Sequence, residues 1–182
     1  VIICSFGLSF LEPFFPLYLV DRFNLSRSFI GLIFGSIMML FLPALPIFGR
    51  LSDRIGRKTL IIIGMTTFGI TFPFLILANS ILLLIGVTLI LGLTLAIAFA
   101  PVWPLITDTL TYSGKTETYG ASSGLYNTSW AIGYVIGPLM GGLFTAIIGL
   151  KLMFFAYALI VILGTAIVSL IIREPKSYIQ ET

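Results

Sequence analysis

Gly49-Arg50-Leu51-Ser52-Asp53-Arg54-Ile55-Gly56-Arg57-Lys58 sets four cations and one carboxylate between and beside two glycines seven residues apart, and the runs on either side are almost free of charge. Glycines at that spacing permit a tight turn and the close approach of a neighbouring backbone. The stretch therefore reads as a charged loop beside a membrane. Cations alone would serve as an anchor for topology; the lone Asp53 among them is not needed for that and points to a charge network. Working outward, residues 29–48 before the loop and 59–77 after it are each apolar over about 20 residues, the length that crosses a ~30 Å hydrocarbon layer.

The rest of the 182-residue chain follows the same pattern. Hydrophobic residues make up 58% and charged residues 9%, where a soluble domain has about 25% charged, so too few charges exist to cover a water-facing surface. Reading from charge cluster to charge cluster gives six membrane segments: 1–20, 29–48, 59–77, 81–106, 119–148 and 152–172. The expected fold is an all-α membrane protein, a single six-helix transmembrane bundle over 1–182. There is no histidine and one cysteine, Cys4, which removes His-dependent hydrolytic triads, ordinary zinc sites and any internal disulfide. Gly120-Ala121-Ser122-Ser123-Gly124 matches a nucleophile-elbow spacing, but it opens a membrane helix and lacks a histidine to activate the serine. No enzyme activity, cofactor, metal or nucleic-acid partner is expected. The chain starts with Val1 rather than Met, which reads as a piece of something longer.

Orientation follows from Lys and Arg in the short loops. One side would carry Arg50, Arg54, Arg57, Lys58, Lys115, Arg173 and Lys176, the other Arg22, Arg27 and Lys151. The bias places both termini in the cytoplasm.

Three features recur in order along the chain. Pro13-x-x-Pro16-Leu17 with Asp21 returns as Pro101-x-x-Pro104-Leu105 with Asp108; Gly31-x-x-x-Gly35 returns as Gly120-x-x-x-Gly124; and Pro46-x-x-Gly49 through Gly56-Arg57-Lys58 returns as Pro138-x-x-Gly141 through Gly149-Leu150-Lys151. A repeated unit of three crossings enters the membrane from opposite sides, so the pattern predicts a 3+3 inverted repeat. In secondary transporters of that kind the substrate site lies near the midplane, walled by helices that Pro or Gly interrupts. Helices 1 and 4, with Pro13/Pro16 and Pro101/Pro104, are the expected cavity walls.

Glu12 is the one acidic residue well inside a predicted segment, about 18 Å in at 1.5 Å per residue. A carboxylate at the bilayer centre costs at least ~2.5 kcal/mol, so it should face a cavity, find a partner or carry a proton. In helix 5, Asn127, Thr128 and Ser129 with Tyr126 and Trp130 form a polar and aromatic island, suited either to an organic cation or to helix–helix hydrogen bonding. Trp103 and Tyr18 serve equally as cavity aromatics or interface anchors. Gly124, Gly133, Gly137, Pro138, Gly141 and Gly142 crowd the same helix; the spacing of four puts small residues on one stripe for close packing, and Pro138 permits a bend.

The stretch 49–58 resembles the cytoplasmic signature loop of the major facilitator superfamily, Gly-x-Leu-x-Asp-Arg-x-Gly-Arg-Lys, at every specified position. The resemblance implies that Asp53, with Arg54 and Arg57 and in the company of Gly49, Gly56 and Lys58, holds one conformation of an alternating-access cycle. Gly-x8-Gly-x3-Gly-Pro-x2-Gly-Gly, from Gly124 to Gly142, resembles the helix-5 motif of that superfamily's antiporters. Leu11-Glu12-Pro13-x-x-Pro16 is similar to the first helix of the second half of vesicular amine transporters and their polyamine-exporting relatives, which implies proton coupling and amine recognition at Glu12; Asn127 departs from a position that is often acidic there. Thr88, four residues before Gly92, stands where first halves carry Arg, which favours a second half; the intact charged loop argues for a first. The resemblance thus implies one half of a proton-coupled exchanger of organic cations, amines or drug-like compounds, partnered by the lipid bilayer, small-molecule substrate, protons and the other half. Its plasma or vesicle membrane stays open. A uniporter or symporter of the same fold, or a non-transporting six-helix protein acting with a partner, is the alternative.

Overall fold

The computed structural model describes residues 1–112 and 118–171, with side chains for 1–109 and 120–171. Lys115, Arg173 and Lys176 of the predicted charge bias, and the last residue of the sixth predicted segment, lie outside the described residues. Every described element is helical: α1 Ile2–Phe23, α2 Arg27–Ile55, α3 Arg57–Thr71, the short α4 Phe74–Leu77, α5 Ile81–Phe99, α6 Val102–Tyr112 and α7 Thr118–Ile171. Among the described residues, five stretches are long and apolar enough to cross a membrane: Ile2–Phe23, Arg27–Ile55, Arg57–Leu77, Ile81–Thr109 and Gly120–Ile171.

The last of these has 52 residues, about 78 Å of helix, more than twice the ~30 Å hydrocarbon thickness. Its helical dihedrals fail at one residue, Gly149, at φ 80 and ψ 160. Gly149 thus parts α7 into two arms, 118–148 and 150–171, where the sequence predicts segments five and six. The other turns are as short. Asn24 closes α1 in a left-handed conformation with its N–H on the Val20 carbonyl, and Ser26 opens α2 by accepting from the Phe29 N–H. Ser80 opens α5 by accepting from the Leu83 N–H at 3.2 Å. Such caps satisfy backbone groups that a helix end leaves orphaned.

Two expectations are corrected. The charged stretch 49–58 is not a ten-residue loop: α2 stays helical through Ile55, and Gly56 alone, at φ 97, turns the chain into α3. A 29-residue helix outlasts the bilayer, and outside it charged side chains keep a helix going at no hydrogen-bond cost. A methyl at Gly49 would meet nothing within 4 Å, so the close approach expected there is not made. The prolines also act unequally. α1 runs unbroken through Pro13 and Pro16, whereas Ala100 and Pro101 form a turn between α5 and α6.

The packing centre is aromatic. Phe10 and Phe15 of α1, Phe68 of α3 and Phe72 at its end, and Phe154 and Tyr157 of the second α7 arm are all buried. The Phe72 and Tyr157 rings lie 4.4 Å apart, and Phe10 stacks on Tyr157 at 5.6 Å. Apolar side chains also stand far out on the periphery, Leu82 at 82% and Leu170 at 83% exposure, as lipid permits and water does not.

Candidate functional site

A cavity of about 270 Å³ opens between four helices. α1 supplies Leu8, Leu11 and Glu12, α2 supplies Phe34 and Phe41 among others, α5 supplies Leu95, and the first arm of α7 supplies Trp130 and Tyr134. Glu12 is its one charged lining residue. The Tyr134 hydroxyl donates to Glu12 Oε1, which joins α1 to α7 across the cavity. Behind Tyr134 the rings continue: Tyr134 stacks with Trp130 at 6.1 Å, Trp130 with Tyr126 at 6.2 Å, and Tyr126 meets Trp103 of α6 edge-on at 5.6 Å.

The structure sorts the predicted site residues. Glu12 lines the cavity from an exposed position, while Tyr126 and Trp103 stand further along the aromatic line. Asn127 is exposed, with its side-chain amide 3.4 Å from Ser123 Oγ, and is not in the cavity lining. Tyr18 is buried and donates to the Ile76 carbonyl at 2.9 Å, so it braces α1 against α4 rather than lining the cavity. Of the expected walls, helix 1 contributes as predicted, but helix 4 gives only Leu95; α2 and α7 supply more. Tyr134 is the residue that sequence reading missed. The signal was present: Tyr126, Trp130 and Tyr134 recur every four residues and so share one stripe, next to the glycine stripe.

That glycine stripe is packed against α1. A methyl added at Gly133 would stand 2.9 Å from the Phe6 amide nitrogen, at Gly137 2.7 Å from the Phe6 carbonyl oxygen, and at Gly141 2.6 Å from the Phe14 ring. Across this contact Ser9 Oγ donates to the Gly133 carbonyl at 3.3 Å. Gly142 is only at ordinary contact with Phe14, 4.0 Å, and Gly124 faces open space. Pro138 is exposed and the helix runs on through it; the break in α7 is at Gly149 instead.

At one end of the bundle Arg57 gathers two carboxylates. It is 3.3 Å from Asp53 one helical turn earlier, across the Gly56 break, and its Nη1 donates to Asp108 Oδ2 of α6. The Arg57 side chain is 12% exposed and Asp108 22%, against 57% for Asp53, so the pair that spans helices is the one shielded from solvent. Arg54 is exposed and Lys58 half-buried beside them. Asp108 was legible only as a repeat match to Asp21. At the other end, Asp21, Arg22 and Lys151 surround a hollow of about 490 Å³ beside Gly149.

A bundle of membrane-length helices around a cavity with one carboxylate, and a charged break at one end, defines an integral membrane protein. The sequence profile of the Major Facilitator Superfamily matches residues 1–182, and the chain belongs to that family. Among its relatives are proteins named as transporters or resistance proteins. The MFS-type transporter SLC18B1 of Homo sapiens is 31% identical over 153 residues, 78% of this chain and 34% of that protein. The chromaffin granule amine transporter of Rattus norvegicus is 27% identical over 165 residues, 91% of this chain and 30% of that protein. The quinolone resistance protein NorA of Staphylococcus aureus (strain MRSA252) is 28% identical over 171 residues, 93% of this chain and 42% of that protein. The chain spans about a third of the length of the first two, 34% and 30%.

Proposed function

We propose that this chain is one half, favoured as the second, of a proton-coupled exchanger of organic cations, amines or drug-like compounds, in which Glu12 alternately holds a proton and the cationic group of the substrate. The observation that carries this is the lone cavity carboxylate in hydrogen-bond contact with Tyr134 at the end of an aromatic stripe. A carboxylate in apolar surroundings needs a partner, and it can accept either a proton or a cation but not both at full charge. Aromatic faces nearby add attraction for cations, not for neutral molecules of the same shape. The names of the amine and drug-resistance relatives agree with that chemistry.

The proposal includes six spans in a 3+3 inverted arrangement, with which the helix contacts agree. α1 packs on the first arm of α7, and α2 packs on α5; exchanging helices 1 with 4 and 2 with 5 turns one contact into the other. Asp53, Arg54 and Arg57, with Gly56 as the joint, would hold the end of the bundle closed in one state of the cycle. The termini would be cytoplasmic, and the other half would cover the cavity's open side.

The test is proton-driven uptake of a labelled organic cation, benzyltrimethylammonium, into vesicles reconstituted with the full-length protein. Glu12→Gln keeps the shape and the hydrogen-bonding capacity but cannot cycle a proton. Uptake should then lose its dependence on the pH gradient. Undiminished pH-driven exchange in Glu12→Gln would overturn the assignment.

A further inference from the structure

We propose that Tyr134 determines substrate specificity: its oxygen, beside the Glu12 carboxylate, accepts an N–H of the substrate and so selects protonated primary amines over quaternary ammonium ions. The proposal rests on the exchanger reading above. The Tyr134 hydroxyl gives its one hydrogen to Glu12 Oε1, but its oxygen keeps two lone pairs, and no described residue donates to them. Glu12 Oε2 likewise receives no hydrogen bond from any described residue. Acceptors with room for a donor therefore stand side by side in one cavity wall.

The rest of the wall narrows the ligand. Apart from these two residues the lining is aliphatic or aromatic carbon, with a weak thioether acceptor at Met38 and an indole at Trp130 that only donates. The strong side-chain acceptors of the lining are thus Glu12 Oε1, Glu12 Oε2 and Tyr134 Oη. A primary ammonium carries an N–H for each of them, as a lysine head does; a tertiary one carries a single N–H and a quaternary one none. An N–H without an acceptor in apolar surroundings is costly, whereas a quaternary head has none to leave unpaired. The hydroxyl is also held in place. The backbone of α1 lies against Gly133 and Gly137, on either side of Tyr134 in the sequence, so close helix packing fixes the tyrosine at the carboxylate before any ligand arrives.

The experiment measures initial rates of pH-driven uptake into vesicles reconstituted with the full-length protein, using labelled benzylamine, a primary ammonium at neutral pH, and benzyltrimethylammonium, the same ring with every N–H replaced by methyl. The readout is selectivity, the KM for benzyltrimethylammonium divided by that for benzylamine. The parent should favour benzylamine. Tyr134→Phe removes the oxygen and keeps the ring, and its effect on the pull of the Glu12 charge is shared by both cations and cancels in the ratio. Selectivity should fall about 3- to 30-fold. A ratio within about twofold of the parent's, a ratio that rises, or a parent without preference for benzylamine would each overturn the proposal. Should Tyr134→Phe fail to fold, Tyr134→Met, which also lacks a strong acceptor, carries the same comparison. Failure of the parent to exchange either cation would instead sink the exchanger reading itself, so the two failures are told apart.

Discussion

Gly137→Ala set against Gly124→Ala isolates the helix contact on which the cavity depends. Both glycines belong to the same motif on the same arm of α7, so the gain in helix propensity, up to about 1 kcal/mol, is common to both. Their surroundings differ. A methyl at Gly137 would stand 2.7 Å from the Phe6 carbonyl oxygen and 3.2 Å from the Phe10 nitrogen, whereas one at Gly124 meets nothing within 4 Å. The methyl would run into the Ser9 hydroxyl first, which must turn away and give up its bond to Gly133, and since carbon sits comfortably at about 3.5 Å the α1 backbone must also retreat by about 0.8 Å at that level. Forcing an extra methyl into a close-packed interior costs about 1–3 kcal/mol. The two variants should therefore differ by about 1–3 kcal/mol, with Gly137→Ala the less stable. Reversible unfolding of the purified protein in mixed detergent and dodecyl sulfate micelles reads this directly, because the propensity contribution cancels in the difference. Equal shifts in the two variants, within about 0.5 kcal/mol, would refute the claim that this glycine stripe is the α1 contact.

Other outcomes follow from the same geometry. Gly56→Ala places a side chain at φ 97 and should cost about 1–2 kcal/mol in the same unfolding assay, while Gly49→Ala should not destabilise. A double-mutant cycle of Arg57→Ala and Asp108→Asn should show coupling of about 1–3 kcal/mol, and the cycle of Arg57→Ala with the more exposed Asp53→Asn under about 1 kcal/mol. Tyr18→Phe removes one interhelical hydrogen bond and should cost about 0.6–1.7 kcal/mol in stability with transport kinetics retained, since its hydroxyl reaches Ile76 and not the cavity. Expressed by itself, this chain should self-associate in mild detergent, measurable by light scattering, because on the half-transporter reading the face that meets the other half is left uncovered.

Membrane residence, helical class and family were legible in the residues themselves. In hydrocarbon every backbone N–H and C=O must be satisfied within the segment, so an apolar run of sufficient length with few charges leaves the helix as the available open-chain solution. Charge clusters mark the turns after α1, between α2 and α3 and near Lys151, whereas the turn before α5 carries no charge and is made by the Ser80 cap. Glu12 was likewise conspicuous, because a carboxylate inside such a run is costly wherever it points. Local chemistry also showed that Gly49 and Gly56 were special, but not which of them would bend the chain.

What the residues could not reveal was which side chains meet. Tyr134 became the partner of Glu12, and Asp108 the partner of Arg57, across 122 and 51 positions of sequence. Such pairings depend on how far α7 rotates against α1 and how closely α3 approaches α6. The first of these is set by the summed fit of Gly133, Gly137 and Gly141 against Phe6, Phe10 and Phe14, not by any residue's own preference. The same fit turned Tyr18 into the core and left helix 4 with a single residue on the cavity. Hydrophobicity along a chain dictates that helices form in lipid; only close contact between their surfaces selects the faces that look at one another.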